Sequence, residues 1–386
     1  MAAADEIFDR AVEVLPGGNT RSTLFVAPHP PYAVAGEGPM VVDSAGHRTI
    51  DCNNNYTSLI HGHADPQTLA AAAEAAAKGT AFGLPTAYEV DMAELLRSRT
   101  GLAQWRFCNS GTEAVMMLIR GARAHTGRNL VVRFEGSYHG TYDGVVATDA
   151  PGVPDSAAAA SIVLPQNDVS ALQAAMRRHG DQVAVVLLDL MPNRAGLRPV
   201  SGEFAAAARE LATAYGALLA IDEVITFRLG PGGLHQAYHL APDLVSLGKI
   251  IGGGFPVGAV GGRADVLAAF SPLGAGPVAW GGTFSANPVT MAAGISTMRR
   301  FEANDIAALN AQGDGLRERL VESGVEVNGR GSLLRLIVDE PVSTWWRLYE
   351  AGVLAGTNGL LALSTAMTDE HVDLIARRVI GALCTG

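Results

Sequence analysis

The 386-residue chain has few cysteines and no long apolar run. Its three cysteines, Cys52, Cys108 and Cys384, are an odd number without CxxC spacing, so the sequence predicts neither a disulfide framework nor a zinc site. No stretch approaches the roughly 20 apolar residues of a membrane-spanning helix, and the opening MAAADEIFDR lacks the basic and then apolar pattern of a signal peptide. We therefore expect a cytoplasmic protein whose thiols are reduced.

An excess of basic residues is also missing. The formal net charge is -10, and the acidic residues are spread along the chain, so no basic stripe is available for a phosphate backbone and nucleic acid is not expected as a partner. The pair His61 and His63 has too few companion ligands to predict a metal site. With 48% hydrophobic residues and no repeat or low-complexity tract, the composition favours a globular enzyme.

From about residue 104 to 262, short runs rich in Val, Leu and Ile alternate with Ala-rich segments of helical period. This pattern is typical of an α/β fold with a mostly parallel sheet covered by helices. The Ala-rich segment AAAARELATAYG predicts a crossover helix that ends at a glycine. The strand candidates are QWRFCNS, NLVVRFEG, SIVLP, QVAVVLLDL, ALLAIDEV, DLVSLG and VGAVGG.

The two ends of the chain have a different pattern. Residues 39–52 (PMVVDSAGHRTIDC) predict a hairpin with a glycine in its turn, and the last 90 or so residues mix helices with brief strands. We expect a smaller α+β domain built from both ends, with residues 1–50 as its first part and 289–386 as its second. Residues 51–288 would form the large domain.

Two polar residues follow buried strands in this central block. Asp222 ends the strand of ALLAIDEV, at the edge where open parallel sheets bind ligands, although a carboxylate there could also cap a turn or helix. Lys249 follows the strand of DLVSLGKIIGGG in a glycine-rich, apolar turn. A desolvated lysine loses proton affinity and becomes a nucleophile toward an aldehyde, whereas the alternative is a solvated surface lysine.

Three loops carry further candidates. In FCNSGTEAV, the turn of Ser110, Gly111 and Thr112 leads into a helix, whose free N–H groups could form a phosphate cup or simply a cap. In EGSYHGTYDG, Tyr138 and His139 could stack on a flat heterocycle or form an ordinary turn.

The third loop is WGGTFSANP. Here Thr283 and Asn287 could add hydrogen bonds to a phosphate, and the alternative is an ordinary polar loop.

Together and in this order, NSGTEA, SYHG, IDEV, SLGKIIGGGFPVGA and GGTFSANP resemble the class III aminotransferases, most of all the glutamate-1-semialdehyde aminomutase subgroup. The resemblance spans nearly the whole chain. It implies fold type I with pyridoxal 5'-phosphate (PLP) as cofactor, carried as a Schiff base on Lys249, and Asp222 paired with the pyridine nitrogen. Val224 would pack on one ring face opposite Tyr138, with His139 beside it.

The resemblance also implies how the phosphate and the substrate are held. Ser110, Gly111 and Thr112 would hold the phosphate, and Thr283 would reach the phosphate of a neighbouring subunit, which implies a homodimer with shared active sites. The segment PGGNTRSTLFVAPHPPY is similar to that of aminotransferases for aromatic β-amino acids. Arg21 would then bind the substrate carboxylate, for which a guanidinium is well suited; the alternative is a surface arginine.

One segment departs from the family's pattern. Where relatives often have Glu-Pro followed by Gly-Asn, this chain has Asp189-Leu-Met-Pro-Asn193-Arg194, which leaves the acceptor and the pocket shape open. The first hypothesis is a ping-pong transaminase that moves an amino group from an amino acid, possibly a β-amino acid, to a keto acid. The alternatives are an intramolecular 2,1-aminomutase and a non-catalytic protein of the PLP fold.

Overall fold

The computed structural model describes residues 2–274 and 278–384, and these form two compact units. One unit comprises Met1–Pro66 with Ala307–Gly386, and the other comprises Gln67–Ile306. Within the described residues, none of the helices combines the length and the apolar character that a membrane crossing requires.

The bounds of the elements follow in chain order. The helices are α1 Ala2–Val14, α2 Asn54–Thr57, α3 Pro66–Lys78, α4 Ala87–Thr100, α5 Gly111–Thr126, α6 Asp155–Ala158, α7 Val169–His179, α8 Gly202–Ala214, α9 Ala264–Leu267, α10 Pro288–Arg299, α11 Ala303–Glu322, α12 Pro341–Glu350 and α13 Asp369–Cys384. The strands are β1 Ala33–Glu37, β2 Met40–Asp43, β3 Arg48–Asp51, β4 Gln104–Cys108, β5 Leu130–Phe134, β6 Ser161–Leu164, β7 Val183–Leu188, β8 Leu218–Asp222, β9 Leu244–Gly248, β10 Gly258–Gly262, β11 Val327–Arg330, β12 Leu333–Leu336, β13 Val353–Leu354 and β14 Leu360–Ala362.

The unit of residues 67–306 is built on a seven-stranded sheet in the order β4-β10-β9-β8-β7-β5-β6. All strand pairs are parallel except those of β10, which runs antiparallel to both β4 and β9. Each predicted strand of the central block is present, and every residue of β7, β8 and β9 is buried. Strands buried on both faces need no polar alternation, which is why they appear in the sequence as continuous apolar runs. The predicted α/β fold is confirmed.

Strand register determines which side chains meet at the carboxyl edge of this sheet. On β7 and β8, Leu188 lies opposite Ile221, and on β8 and β9, Asp222 lies opposite Ser246. Asp189 and Lys249 directly follow their strands. The segments after β7, β8 and β9 therefore leave the sheet side by side, as the carboxyl ends of parallel strands do.

The other unit contains a four-stranded sheet in the order β1-β2-β3-β13 and a three-stranded sheet in the order β11-β12-β14. The hairpin predicted for residues 39–52 is the antiparallel pair β2 and β3. Gly46 in its turn has φ 82°, which a glycine adopts without the strain of a Cβ atom.

The boundaries of the compact units lie at residues 66–67 and 306–307, whereas the sequence placed them after 50 and 288. Residues after 51 stay with the first unit because Cys52 N–H donates to Leu354 O, and Cys52 O accepts from Ala362 N–H. Helix α10 stays with the second unit because it packs against α4 and the turn that follows Lys249. These contacts join residues distant in sequence, so composition does not reveal them.

Candidate active site

Asp222 is a buried carboxylate with several hydrogen-bond donors at the end of β8. Its side chain is 6% exposed, and Oδ2 lies 2.7 Å from Nδ1 of His139. Its Oδ1 accepts hydrogen bonds from the Ser246 hydroxyl at 2.9 Å and from the Val224 N–H at 3.2 Å. Three groups from different parts of the chain thus hold this carboxylate in a fixed position at this edge of the sheet.

Lys249 is partly buried and begins the 3₁₀ turn that follows β9. Burial lowers the pKa of this amine, while the nearby carboxyl groups of Asp222 and Asp189 oppose that change. Its φ is 51°, in the left-handed region that side chains with a Cβ rarely adopt, and such strain is common at functional sites. The carboxyl groups of Asp222 and Asp189 are therefore close enough to act on the amine of Lys249, and the predicted roles of Lys249 and Asp222 stay predictions.

A cradle of small residues joins the beginning of α5 to the ends of β8 and β9. A Cβ placed on Gly111 would lie 3.1 Å from Cγ1 of Val224. A Cβ on Gly248 would lie 3.5 Å from the same Val224 atom and 3.7 Å from Cα of Gly111. The turn expected to hold phosphate thus packs closely against Val224 and Gly248, which lie near Asp222 and Lys249 in the chain.

The Ser110 and Thr112 side chains already have partners within the protein. The Ser110 hydroxyl oxygen accepts from Glu113 N–H at 3.1 Å, so this residue caps α5, the alternative that the sequence left open. Thr112 Oγ1 accepts a longer bond of 3.3 Å from Thr141 N–H. Capping and phosphate binding are compatible, because the backbone N–H groups of the first turn point out of the helix.

Tyr138 and His139 differ in burial although they are adjacent. His139 is 2% exposed, and among the described residues its Nε2 is a buried atom without a hydrogen-bond partner. Tyr138 is 39% exposed, and the guanidinium carbon of Arg194 lies 4.4 Å from its ring centroid. The segment after β5 therefore places the His139 ring in the buried part of the site, beside Asp222, and the Tyr138 ring at the protein surface.

The loop that carries Thr283 adjoins the same turn. A Cβ on Gly282 would lie 3.4 Å from Nδ2 of Asn109, and the Trp280 indole N–H donates to Phe107 O at 2.8 Å. Thr283 itself is exposed. Its predicted contact with a partner's phosphate stays a prediction.

Arg21 belongs to the other unit and is exposed, with Nη1 donating to Asn55 Oδ1 at 2.7 Å. It lines a cavity of about 350 Å³ within that unit, together with Leu24, Trp345 and Tyr349. The carboxylates of Asp43 and Asp51 line the same cavity. The predicted role of Arg21 stays a prediction.

Three features of the site escaped the sequence analysis as functional signals. Asp189, 7% exposed, directly follows the buried strand β7, next to the strand that Asp222 ends. Ser246 is buried inside β9, and only strand register shows that it faces Asp222. Third, Lys249 is one of only two lysines in the sequence. The other, Lys78, is exposed on α3 and paired with a glutamate, so Lys249 is the lysine at this site.

The residues at this edge of the sheet fit PLP. Gly111 and Gly248 let the helix start pack closely against Val224, the buried Nε2 of His139 lacks a partner among the described residues, and an amine of lowered pKa lies near a hydrogen-bonded carboxylate. The fold and the site together define a PLP-dependent enzyme of fold type I.

Comparison with known proteins identifies the family. The model of the family described as Aminotransferase class-III matches residues 27–383, so the chain belongs to the class III aminotransferases. PLP, which is bound in a solved transaminase similar to this chain, is its cofactor.

Individual relatives carry different activities in their names. The chain is 39% identical over 367 residues to a glutamate-1-semialdehyde 2,1-aminomutase of Thermomicrobium roseum, with 88% of this chain and 84% of the relative covered. An omega-transaminase structure from Sphaerobacter thermophilus is 40% identical with a TM-score of 0.95, and covers 99% of this chain and 97% of its own. A β-phenylalanine aminotransferase structure from Variovorax paradoxus is 35% identical with a TM-score of 0.91, and the coverages are 98% and 93%.

Proposed function

We propose that this chain is a PLP-dependent aminotransferase in which Lys249 is the catalytic amine and Asp222 the partner of the cofactor's ring nitrogen. The observation that supports the proposal is the placement of these two residues: Asp222 ends β8, Lys249 follows the neighbouring strand β9, and the charge of Asp222 acts on the amine of Lys249. When bound, PLP supplies an aldehyde that condenses with amines and a ring that accepts electrons.

Lys249 has two tasks in this proposal. Its lowered pKa increases the fraction of free amine, which is the form that attacks an aldehyde. With PLP and substrate bound, the free Nζ of Lys249 would take a proton from the substrate carbon and return it at a second position.

Asp222 has an electrostatic task. Its carboxylate would stabilise a proton on the ring nitrogen, and the bonds from Ser246, Val224 and His139 hold it in place. Val224 and Tyr138 would contact the two ring faces, and the start of α5 would bind the phosphate. We also propose that Thr283 completes the phosphate site of a second subunit, so that the active enzyme is a homodimer.

Two outcomes of this chemistry are in competition. Transfer to a separate keto acid is supported by the Sphaerobacter and Variovorax structures, which this chain matches over nearly its full length. We also propose that Arg21 binds the carboxylate of a β-amino acid substrate, for which its guanidinium is suited. The second candidate is the intramolecular 2,1-aminomutase, and the names of the curated relatives favour it over the transaminase.

The assignment of Lys249 is tested by borohydride reduction in the presence of PLP, followed by peptide mass spectrometry. Reduction fixes the cofactor on the lysine that carries it, and the chain has only Lys249 and Lys78 to choose between. We expect the label on Lys249, its loss in Lys249→Ala and its retention in Lys78→Ala. Labelling of Lys78 alone, or turnover by folded Lys249→Ala, would refute the proposal.

The two outcomes are separated by single-turnover experiments on the enzyme converted to its pyridoxamine form. Net isomerisation of glutamate 1-semialdehyde without any added keto acid would establish the mutase and refute the transaminase. If the enzyme is a transaminase, at least one α- or β-amino acid donor, added instead to the PLP form, will give a half-reaction that a keto acid reverses. Failure of every donor with an intact Lys249 adduct would contradict it.

A further inference from the structure

The mechanism leaves one buried acid at the site without a task. Asp189 directly follows β7, and since Leu188 lies opposite Ile221, Asp189 and Asp222 leave their strands next to each other. The two side chains are 7% and 6% exposed, so water screens their charges poorly. Two carboxylates that share a desolvated site repel each other, and the arrangement favours a proton on one of them.

Hydrogen bonding decides which of the two carries the proton. Asp222 has three donors nearby, from His139, Ser246 and Val224. Asp189, in the described part of the chain, accepts a single hydrogen bond, from Met191 N–H at 2.9 Å. The carboxylate that accepts more hydrogen bonds keeps the negative charge, and this is Asp222.

We propose that Asp189 is a positioning residue that holds a proton beside Asp222, so that a single negative charge faces the ring nitrogen of the cofactor. The inference rests on the proposed role of Asp222. As a neutral carboxyl, Asp189 fills the space next to Asp222 without adding a second charge to the site.

The surrounding charges agree with this assignment. Burial, followed by the charge of Asp222 and a smaller effect of Glu223, raises the pKa of Asp189 to about 7, although His139 and the Met191 N–H act against the rise. These groups and Lys249 are the titratable residues that act on or respond to Asp189. When Asp189 loses its proton, its charge adds to the interactions that raise the pKa of Lys249 and makes the free amine scarcer.

The test uses the apoenzyme, so that it does not depend on turnover. Infrared difference spectra between wild type and Asp189→Asn are recorded from about pH 6 to about pH 8. We expect a protonated-carboxyl carbonyl band in the wild type that disappears as the pH rises through about 7 and is absent from the variant. Asp189→Ser, which also lacks an ionisable group, serves if the amide variant does not fold.

A second readout is competitive acetylation by a neutral reagent, because exposed Lys78 provides an internal standard in the same sample. The labelling ratio of Lys249 to Lys78 should be the same in wild type and Asp189→Asn near pH 6. Above about pH 7 the ratio should be higher in the variant, where no charge at position 189 stabilises the ammonium form of Lys249.

Two results would overturn the proposal. One is an infrared spectrum in which Asp189 is already ionised near pH 6. The other is a Lys249 to Lys78 labelling ratio that differs between wild type and Asp189→Asn by the same factor at every pH from about 6 to about 8. Neither readout involves PLP or substrate. If folded Lys249→Ala still turned over substrate while the carboxyl band of Asp189 was present, only the proposed function would be refuted. A missing band with intact labelling by PLP would count against the proton on Asp189 alone.

Discussion

A proton held by Asp189 should change the stability of the apoenzyme with pH. The pKa of Asp189 in the folded chain is raised to about 7 from the ordinary 3.8. Below about pH 4 both the folded and the unfolded chain hold this proton, so the group has no effect. As the pH rises toward 7, the unfolded chain releases the proton first, and the folded state loses stability; above 7 the loss is complete.

The size of this loss follows from the same values. Each pH unit between the two pKa values corresponds to 1.36 kcal/mol, so the free energy of unfolding falls by at most about 4 kcal/mol. Asp189→Asn has no proton to lose. Its stability relative to wild type should therefore rise between about pH 4 and pH 7, on top of any constant offset from the amide. In a unit of this size, 4 kcal/mol corresponds to roughly 8 to 16 °C in thermal midpoint.

The assay is the thermal midpoint of apoenzyme as a function of pH, with Asp243→Asn as a control of opposite sign. Burial alone would raise the pKa of Asp243, but hydrogen bonds from Arg209, Leu219 N–H and Arg263 lower it. Asp243→Asn should therefore be destabilised at neutral pH, and its deficit should shrink as the pH falls through the pKa of Asp243 in the folded chain. A gap between wild type and Asp189→Asn that stays constant from about pH 4 to pH 8 would refute the reasoning.

Two further substitutions probe the site. Ser246→Ala removes the hydroxyl that donates to Asp222. Since a hydrogen bond to a charged group contributes about 1.5–3 kcal/mol, we expect PLP affinity, measured by fluorescence titration, to fall roughly tenfold or more. Unchanged affinity would show that Asp222 does not depend on this donor. Gly258→Ala would place a Cβ 2.0 Å from Ser110 O, and we expect this overpacking to lower the free energy of unfolding by about 1–3 kcal/mol and to weaken PLP binding. The control Gly202→Ala, whose Cβ would have no atom within 4 Å, should keep the wild-type thermal midpoint. Equal midpoints in the two variants would contradict this expectation.

The sequence predicts the strands and residues of the site better than the contacts among them. The apolar runs predict β7, β8 and β9, and the rule that carboxyl ends share an edge brings Asp222 and Lys249 together. The same rule applied to QVAVVLLDL would have placed Asp189 beside Asp222. It does not reach Arg21, because the contacts of that residue depend on a loop that folds back on Asn55 within a separate unit.

The protonation of the site is harder to predict than its composition, because it depends on donors from distant parts of the chain. His139 lies 83 residues before Asp222 and Ser246 lies 24 after it. In the sequence Asp189 and Asp222 look equivalent: each ends a buried strand. Only the unequal number of hydrogen bonds distinguishes them, and this inequality arises when β5, β8 and β9 are brought into one sheet. A substitution that removed donors from Asp222 should therefore shift the proton away from Asp189, although it leaves both carboxyl groups in place.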